Sequence, residues 1–290
     1  MTGTKIWNYR VHEKLGEGGM GTVYRAEDLR LGRYVALKFL SPALRTDEWA
    51  RRHFCREAQA AAAVNHPNVC RVYDLAETGQ AMYIAMALIE GRDLAVYATT
   101  GRLRVTQALD IAAQIADGLA AVHRCGVIHL DIKPSNVIVG RNGRPVIIDF
   151  GLASVPGTER VVPEKTTAGT MAYMSPEQVV GDVIDCRTDI WSLGVVLYEL
   201  LAGQPPFQGE YRQAIMYSVL NEEPELPPIV GEPSIVSCGV NTVLQRALAK
   251  NPWERYSSAD AFAADLRTVL AFVPDVRTNL PCAMQCVTIH

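Results

Sequence analysis

In the first third of the chain, polar turns break up short apolar runs. Tyr9 to Leu15, Thr22 to Asp28 and Tyr34 to Phe39 carry β-branched and aromatic residues between glycine-rich turns, which predicts strands. From Asp47 to Val64 the pattern changes to a long alanine-rich helix, ended by Asn65-His66-Pro67. Strands resume near Val69 to Leu75 and Ala81 to Ala87, with Glu77-Thr78-Gly79-Gln80 as a hairpin turn. After Glu90-Gly91 the character becomes helical. Thr106 to Arg124 sets Ile111, Ile115, Leu119 and Val122 on one face and closes at Gly126. Thr188 to Ala202 closes at Gly203, and two further helices are predicted over Tyr211 to Asn221 and Ser257 to Phe272. Short strands fall at Val137-Ile138-Val139 and Val146-Ile147-Ile148. Leu152 to Pro176 is a long polar connection, of the kind that in a compact domain is functional or disordered. The pattern predicts an α+β protein, strand-rich first and helix-rich afterwards.

The chain has 290 residues, enough for one large domain or two lobes with separate cores. Hydrophobic residues at 49% and charged residues at 20% are ordinary for a soluble globular protein. Lys and Arg number 28 against 31 Asp and Glu, so the net charge of −3 gives no electrostatic argument for nucleic acid as a partner. The seven cysteines are scattered without a Cys-x-x-Cys pair, which reads as free thiols in a reducing compartment. The N-terminal residues lack the apolar core of a signal peptide, and no apolar run approaches the ~20 residues that span a bilayer. A cytoplasmic location is the expectation.

Three segments carry chemistry. Gly16-Glu17-Gly18-Gly19-Met20-Gly21 brings backbone amides close to phosphate oxygens without Cβ interference. Dinucleotide-binding folds use the same glycine spacing, but there the third glycine opens a helix; here Thr22-Val23-Tyr24 is strand-like, so the segment reads as a hairpin lid. Lys38 closes the apolar strand Val35-Ala36-Leu37 and can aim an ammonium at phosphates, with Glu57 on the alanine-rich helix to hold it. The strongest signal is His129-Leu130-Asp131-Ile132-Lys133-Pro134-Ser135-Asn136 followed by Asp149-Phe150-Gly151. One carboxylate there can orient a substrate hydroxyl and accept its proton, while a second carboxylate and an amide can hold Mg2+ against phosphates.

In this order, from about Tyr9 to about Leu270, the segments resemble the eukaryotic-type protein kinase family; Gly-Glu-Gly-Gly-Met-Gly and Ala-Tyr-Met-Ser-Pro-Glu-Gln look most like its bacterial serine/threonine branch. The resemblance implies a bilobal α+β fold. Residues 1–88 would form a small antiparallel lobe with one helix, and 89–274 a larger, mainly helical lobe. The hinge would lie near 87–92, the activation segment near 149–177, and a tail or linker at 275–290. It implies ATP and Mg2+ as cofactors and protein serine or threonine hydroxyls as substrates, with autophosphorylation and a homodimer as candidate behaviour. It also implies a kinase domain that is the cytosolic part of a longer membrane-anchored protein, as in many bacterial members.

Residue by residue, the resemblance makes Gly16, Gly18 and Gly21 the lid over ATP, and Lys38, paired to Glu57, the contact to the α- and β-phosphates. Val23, Ala36 and Ile138 would sandwich adenine, Met86 would be the gatekeeper, Ala87 to Ile89 the hinge, and Asp93 a ribose contact. Asp131 would orient the hydroxyl, Lys133 would stabilise the transferring phosphoryl group, and Asn136 and Asp149 would bind the metal. Thr170 would bond the catalytic aspartate and lysine, and with Lys133 it argues against tyrosine specificity. Glu177 is expected to pair with Arg255, and Asp189 to anchor the catalytic loop from a buried helix.

Three positions depart from the family pattern. Leu130 replaces an arginine that usually grips a phosphate on the activation loop, so phosphorylation of Thr166 or Thr167 is expected to be less tightly coupled to activity, unless Arg52 or Lys165 supplies the charge. Ala61 is smaller than the usual apolar residue one turn after Glu57, which implies a loosely held active arrangement. Ser135 stands where an acid often marks a preference for upstream arginine. The rival reading is a pseudokinase or nucleotide-binding scaffold; Lys38, Asp131, Asn136 and Asp149 are all present and speak against it. A small-molecule kinase and a Rossmann oxidoreductase fit the motifs less well.

Overall fold

The computed structural model describes residues 2–79, 81–100, 103–150, 168–229 and 231–273. Gln80 of the expected hairpin turn, Gly151, Lys165, Thr166, Thr167 and the 275–290 tail lie outside them, as does most of the expected polar connection.

The N-terminal part is one antiparallel sheet of six strands: β1 (Lys5–Ile6), β2 (Tyr9–Gly18), β3 (Gly21–Asp28), β4 (Arg33–Leu40), β5 (Val72–Thr78) and β6 (Ala81–Ala87), in the order β1-β2-β3-β4-β6-β5. Helix α1 (Glu48–Ala62) packs against it. Asp47 caps α1 by accepting from the amides of Trp49 and Ala50, and the helix turns Ala50, Phe54, Glu57, Ala58 and Ala61 inward at helical spacing. Strand β5 starts later than the sequence suggests. Val69 instead makes a parallel bridge to Ile147, the Cys70 amide donates to the Ile147 carbonyl at 2.8 Å, and Asn68 Nδ2 reaches the Pro145 carbonyl at 2.7 Å. Residues 68–70 are therefore held by the segment Pro145–Ile147 rather than by the six-stranded sheet.

Helices α2 (Leu94–Thr100), α3 (Val105–Arg124), α4 (Ala168–Met171), α5 (Pro176–Val180), α6 (Arg187–Ala202), α7 (Arg212–Asn221), α8 (Ser234–Ala247) and α9 (Ala259–Ala271) make up the larger part, with a small sheet of β7 (Gly91–Asp93), β8 (Val137–Gly140) and β9 (Pro145–Ile147). This is the bilobal arrangement expected. Helix α6 is apolar on nearly every side and lies at the centre, with Ile190, Trp191, Leu193, Val196, Leu197 and Leu200 each fully buried. It packs closely on α8: a Cβ on Gly194 would come within 2.9 Å of Ala247 Cβ. In the small sheet β9 packs on α3, and β7 and β8 pack on α2.

Candidate active site

The glycine-rich segment is the turn between β2 and β3. Gly16 pairs with Val23, Glu17 with Thr22 and Gly18 with Gly21, which leaves Gly19-Met20 as a two-residue tip. Its glycines do different work. A Cβ at Gly16, Gly18 or Gly19 would meet nothing within 4 Å, so their bare backbone faces open space. A Cβ at Gly21 would fall 1.8 Å from the Phe39 carbonyl oxygen, so that glycine is required by the sheet itself.

Lys38 lies on β4 opposite Val23 and Ile84. Its Nζ is 2.5 Å from Glu57 Oε1 and 3.0 Å from Asp149 Oδ1, so β4, α1 and the segment after β9 meet at one ammonium. Burial would lower the Lys38 pKa, but the charges of Asp149 and Glu57 outweigh it and hold the group cationic. Burial likewise pushes Asp149 up, and the Lys38 charge and hydrogen bond overcome this and bring it to about 2. Glu57 lies deeper; burial and the neighbouring Asp149 carboxylate push it upward against the pull of Lys38. Behind this pair is a cavity of about 10 Å³, lined by Glu57, Ala58, Ala61, Cys70, Met86 and Phe150 among others. That is room for about one water, so the smallness of Ala61 has been largely absorbed by its neighbours.

The second cluster centres on Asp131. Lys133 Nζ donates to both carboxylate oxygens, at 3.0 and 2.8 Å, and to Thr170 Oγ1 at 3.3 Å. Asn136, in a 3-10 turn begun by Pro134, donates from Nδ2 to Asp131 Oδ2 at 2.9 Å and to the Asp131 carbonyl at 2.8 Å. Asp131, Lys133, Asn136 and Thr170 thus form one network. The loop carrying them is fixed from below by Asp189 of α6, which is fully buried and accepts from the amides of His129 at 2.9 Å and Leu130 at 2.8 Å. Its Oδ2 also lies 2.7 Å from His123 Nε2. Burial pushes Asp189 up, and the His123 hydrogen bond and charge reverse this, so its carboxyl stays below the usual range. His129 is lowered by complete burial and packs its ring 4.8 Å from that of Phe150. Leu130 has a φ of 67°, a left-handed conformation that costs a non-glycine residue about 1–2 kcal/mol.

Near α5 lies a third group. Glu177 and Arg255 form a bidentate pair at 2.7 and 2.9 Å, and Thr188 Oγ1 donates to Glu177 at 2.6 Å. The remaining guanidinium hydrogens go to the carbonyls of Ala249, Arg187 and Lys250.

Of the apolar positions, Val23, Ala36, Met86, Ala87 and Ile89 pack in one group between β3, β4 and β6. Ile138 is half-buried on β8 outside that group, paired in register with Asp93 and Val146. Asp93 is raised by burial. His123, the penultimate residue of α3, carries no motif of its own in the sequence. The sequence alone also gives no role to Gln178, whose amide bonds the Leu130 carbonyl. Arg52 is exposed, with Nε 3.3 Å from the Glu48 carbonyl. Among the described residues no group of three or more His, Cys, Asp or Glu forms a metal cage, and no helix is long and apolar enough to cross a membrane.

The chain thus combines a glycine hairpin, a lysine paired to two carboxylates and an aspartate network, and the family profile for the protein kinase domain matches residues 9–266. The chain belongs to the protein kinase domain family. It is 39% identical over 264 residues to the serine/threonine-protein kinase PknB of Mycobacterium leprae, covering 89% of this chain and 42% of that protein. It is 36% identical over 261 residues to the serine/threonine-protein kinase PrkC of Bacillus subtilis, covering 90% of this chain and 40% of that protein. The chain therefore spans about two fifths of the length of these relatives.

Proposed function

We propose that this chain is a serine/threonine protein kinase domain that transfers the γ-phosphoryl group of ATP to hydroxyls of protein substrates, its own included. The observation that carries this reading is the convergence of Lys133, Asn136 and Thr170 on the Asp131 carboxylate. That carboxylate accepts a hydrogen bond from the substrate hydroxyl, orients its oxygen in line with the phosphoryl group, and takes the proton as the new O–P bond forms and the bond from the γ-phosphorus to the bridging oxygen breaks, with ADP as the leaving group. Lys133 then faces the charge on the transferring oxygens and neutralises it. Lys38, already cationic and fixed by Glu57, holds the α- and β-phosphates. The open backbone of Gly16 and Gly18 lets amides approach them. Adenine would lie between Val23 and Ala36 on one side and Ile138 on the other. Met86 would close the back of the pocket, the backbone of Ala87 and Ile89 would meet its edge, and Asp93 would meet the ribose.

The residues present fit Mg2+. Asp149 is ionised, and Asn136 uses its Nδ2 on Asp131 while its Oδ1 accepts no hydrogen bond among the described residues, so two hard oxygen donors are offered. When bound, the ion supplies charge neutralisation to the phosphates. The lobes of this reading are 1–88 and 89–274, with the hinge at 87–92. A scaffold without activity is not favoured, since every group the transfer needs is present.

The test is transfer from radiolabelled ATP to a generic basic protein, followed by phosphoamino-acid analysis. Phosphoserine and phosphothreonine are expected, with no signal when magnesium is chelated. Phosphotyrosine alone, or no transfer by protein that binds ATP, would overturn the reading.

A further inference from the structure

Leu130 is the strained residue of the Asp131 loop, and its aliphatic side chain brings no polar group to hold that strain. Its amide is held by Asp189 Oδ1 at 2.8 Å. Its carbonyl is held from the opposite direction by Gln178 of α5, whose Nε2 donates to it at 3.0 Å. Gln178 is itself buried and fixed: its Oε1 accepts from the Ser175 amide at 2.9 Å, and its own amide donates to Ser175 Oγ at 3.3 Å. Ser175 and Glu177 bond in turn to Thr188, and Glu177 to Arg255, so the amide sits on a fully braced support.

The chemistry of this position is narrow. The Ser175 amide needs an acceptor and the Leu130 carbonyl needs a donor, and a primary amide provides both from one planar group. A carboxylate provides only the first. Glu serves the helix-capping role at this position as well as Gln does, so capping alone does not select the amide. What selects it is the bond to Leu130.

We infer that Gln178 is a positioning residue for phosphoryl transfer: it ties the peptide preceding Asp131 to the α5 segment and so sets the aim of the Asp131 carboxylate. The inference rests on the kinase reading above. Gln178 touches neither nucleotide nor substrate and acts through the Leu130–Asp131 backbone. Its loss is therefore expected to lower turnover while leaving the Lys38–Glu57–Asp149 end of the cleft, and so ATP affinity, as it was.

The experiment compares wild type, Gln178→Glu and Gln178→Ala for kcat and ATP KM on a fixed protein substrate across pH, with thermal melting alongside. In Gln178→Glu the ionised side chain keeps the bond to the Ser175 amide but puts a carboxylate against the Leu130 carbonyl. The expected result is a kcat about tenfold below wild type with unchanged ATP KM. Protonation of the new carboxyl restores an O–H donor, and burial raises the pH at which it protonates. The ratio of variant to wild-type kcat should therefore climb as pH falls from about 8 to about 6. Gln178→Ala, which cannot be protonated, should show the loss without the climb. Equal kcat in wild type and Gln178→Glu, or a deficit with a flat ratio, would overturn the inference. Loss of folding or of ATP binding in both variants would make the residue structural and overturn it too. A silent wild type would instead bring down the kinase reading on which the inference depends.

Discussion

Arg255 is the position where a single change should do the most damage without touching the cleft. Its side chain is completely buried, and its guanidinium places all five N–H groups: two on Glu177 and one each on the carbonyls of Ala249, Arg187 and Lys250. Arg255→Met keeps an unbranched stem of similar reach but strands the Glu177 carboxylate in the interior without its cation, although Thr188 still donates to it. Removing one partner of such a pair costs about 3–5 kcal/mol. For a domain of this size that is about 6–20 °C in Tm, at about 2–4 °C per kcal/mol. Removing both charges is a different perturbation, because no orphan remains. Glu177→Gln combined with Arg255→Met should cost less than the two single changes added together, with a coupling energy of about 1–3 kcal/mol. The assay is urea unfolding of the four proteins of the cycle, followed by fluorescence. If Arg255→Met cost less than about 1 kcal/mol, or the two changes added within about 0.5 kcal/mol, the pair would not be the brace described here.

The glycines give a second contrast. Gly18→Ala meets open space and should leave the melting temperature nearly unchanged while raising the KM for ATP, whereas Gly21→Ala collides with the Phe39 carbonyl and should destabilise the sheet outright; equal melting temperatures would refute this division. Ala61→Leu pushes a larger side chain into about 10 Å³ and should cost about 1–3 kcal/mol through overpacking, measured by thermal unfolding; a rise in stability would mean the cavity is larger than described. Burial raises Glu177, but Arg255 outweighs it and holds the folded carboxyl below its ordinary value. Its contribution is therefore complete above the ordinary glutamate range and is lost as pH falls through the folded value. Glu177→Gln should flatten the decline of stability below about pH 5, and an unchanged slope would contradict the assignment.

The parts of this molecule that were legible in the sequence are those where local chemistry and fold agree. The glycine hairpin, the Lys38 strand, the Glu57 helix and the Asp131 loop each carry their signal in consecutive residues, and the structure has them as expected. Helix α8 went unread although Val236, Val240, Val243, Leu244 and Ala247 recur at helical spacing and are buried. Its β-branched residues, a glycine and its polar Ser-Cys-Asn-Thr positions weaken intrinsic helix propensity, and packing against α6 and α9 supplies what propensity lacks. Strand β5 was placed early because Val69 is apolar and β-branched, yet its partner is Ile147, far along the chain. The site shows the same limit. Gln178 bonds Leu130 and His123 bonds Asp189, 48 and 66 positions away along the chain, and no local pattern marks either contact.

The most direct measurement is single-turnover transfer from labelled ATP by wild type and by Asp131→Asn, with ATP binding followed in parallel. Asparagine preserves the shape at the centre of the Lys133–Asn136–Thr170 network but cannot take a proton. The account predicts that Asp131→Asn binds ATP as wild type does and loses phosphoryl transfer by about 100-fold or more. Transfer by Asp131→Asn at the wild-type rate would contradict it.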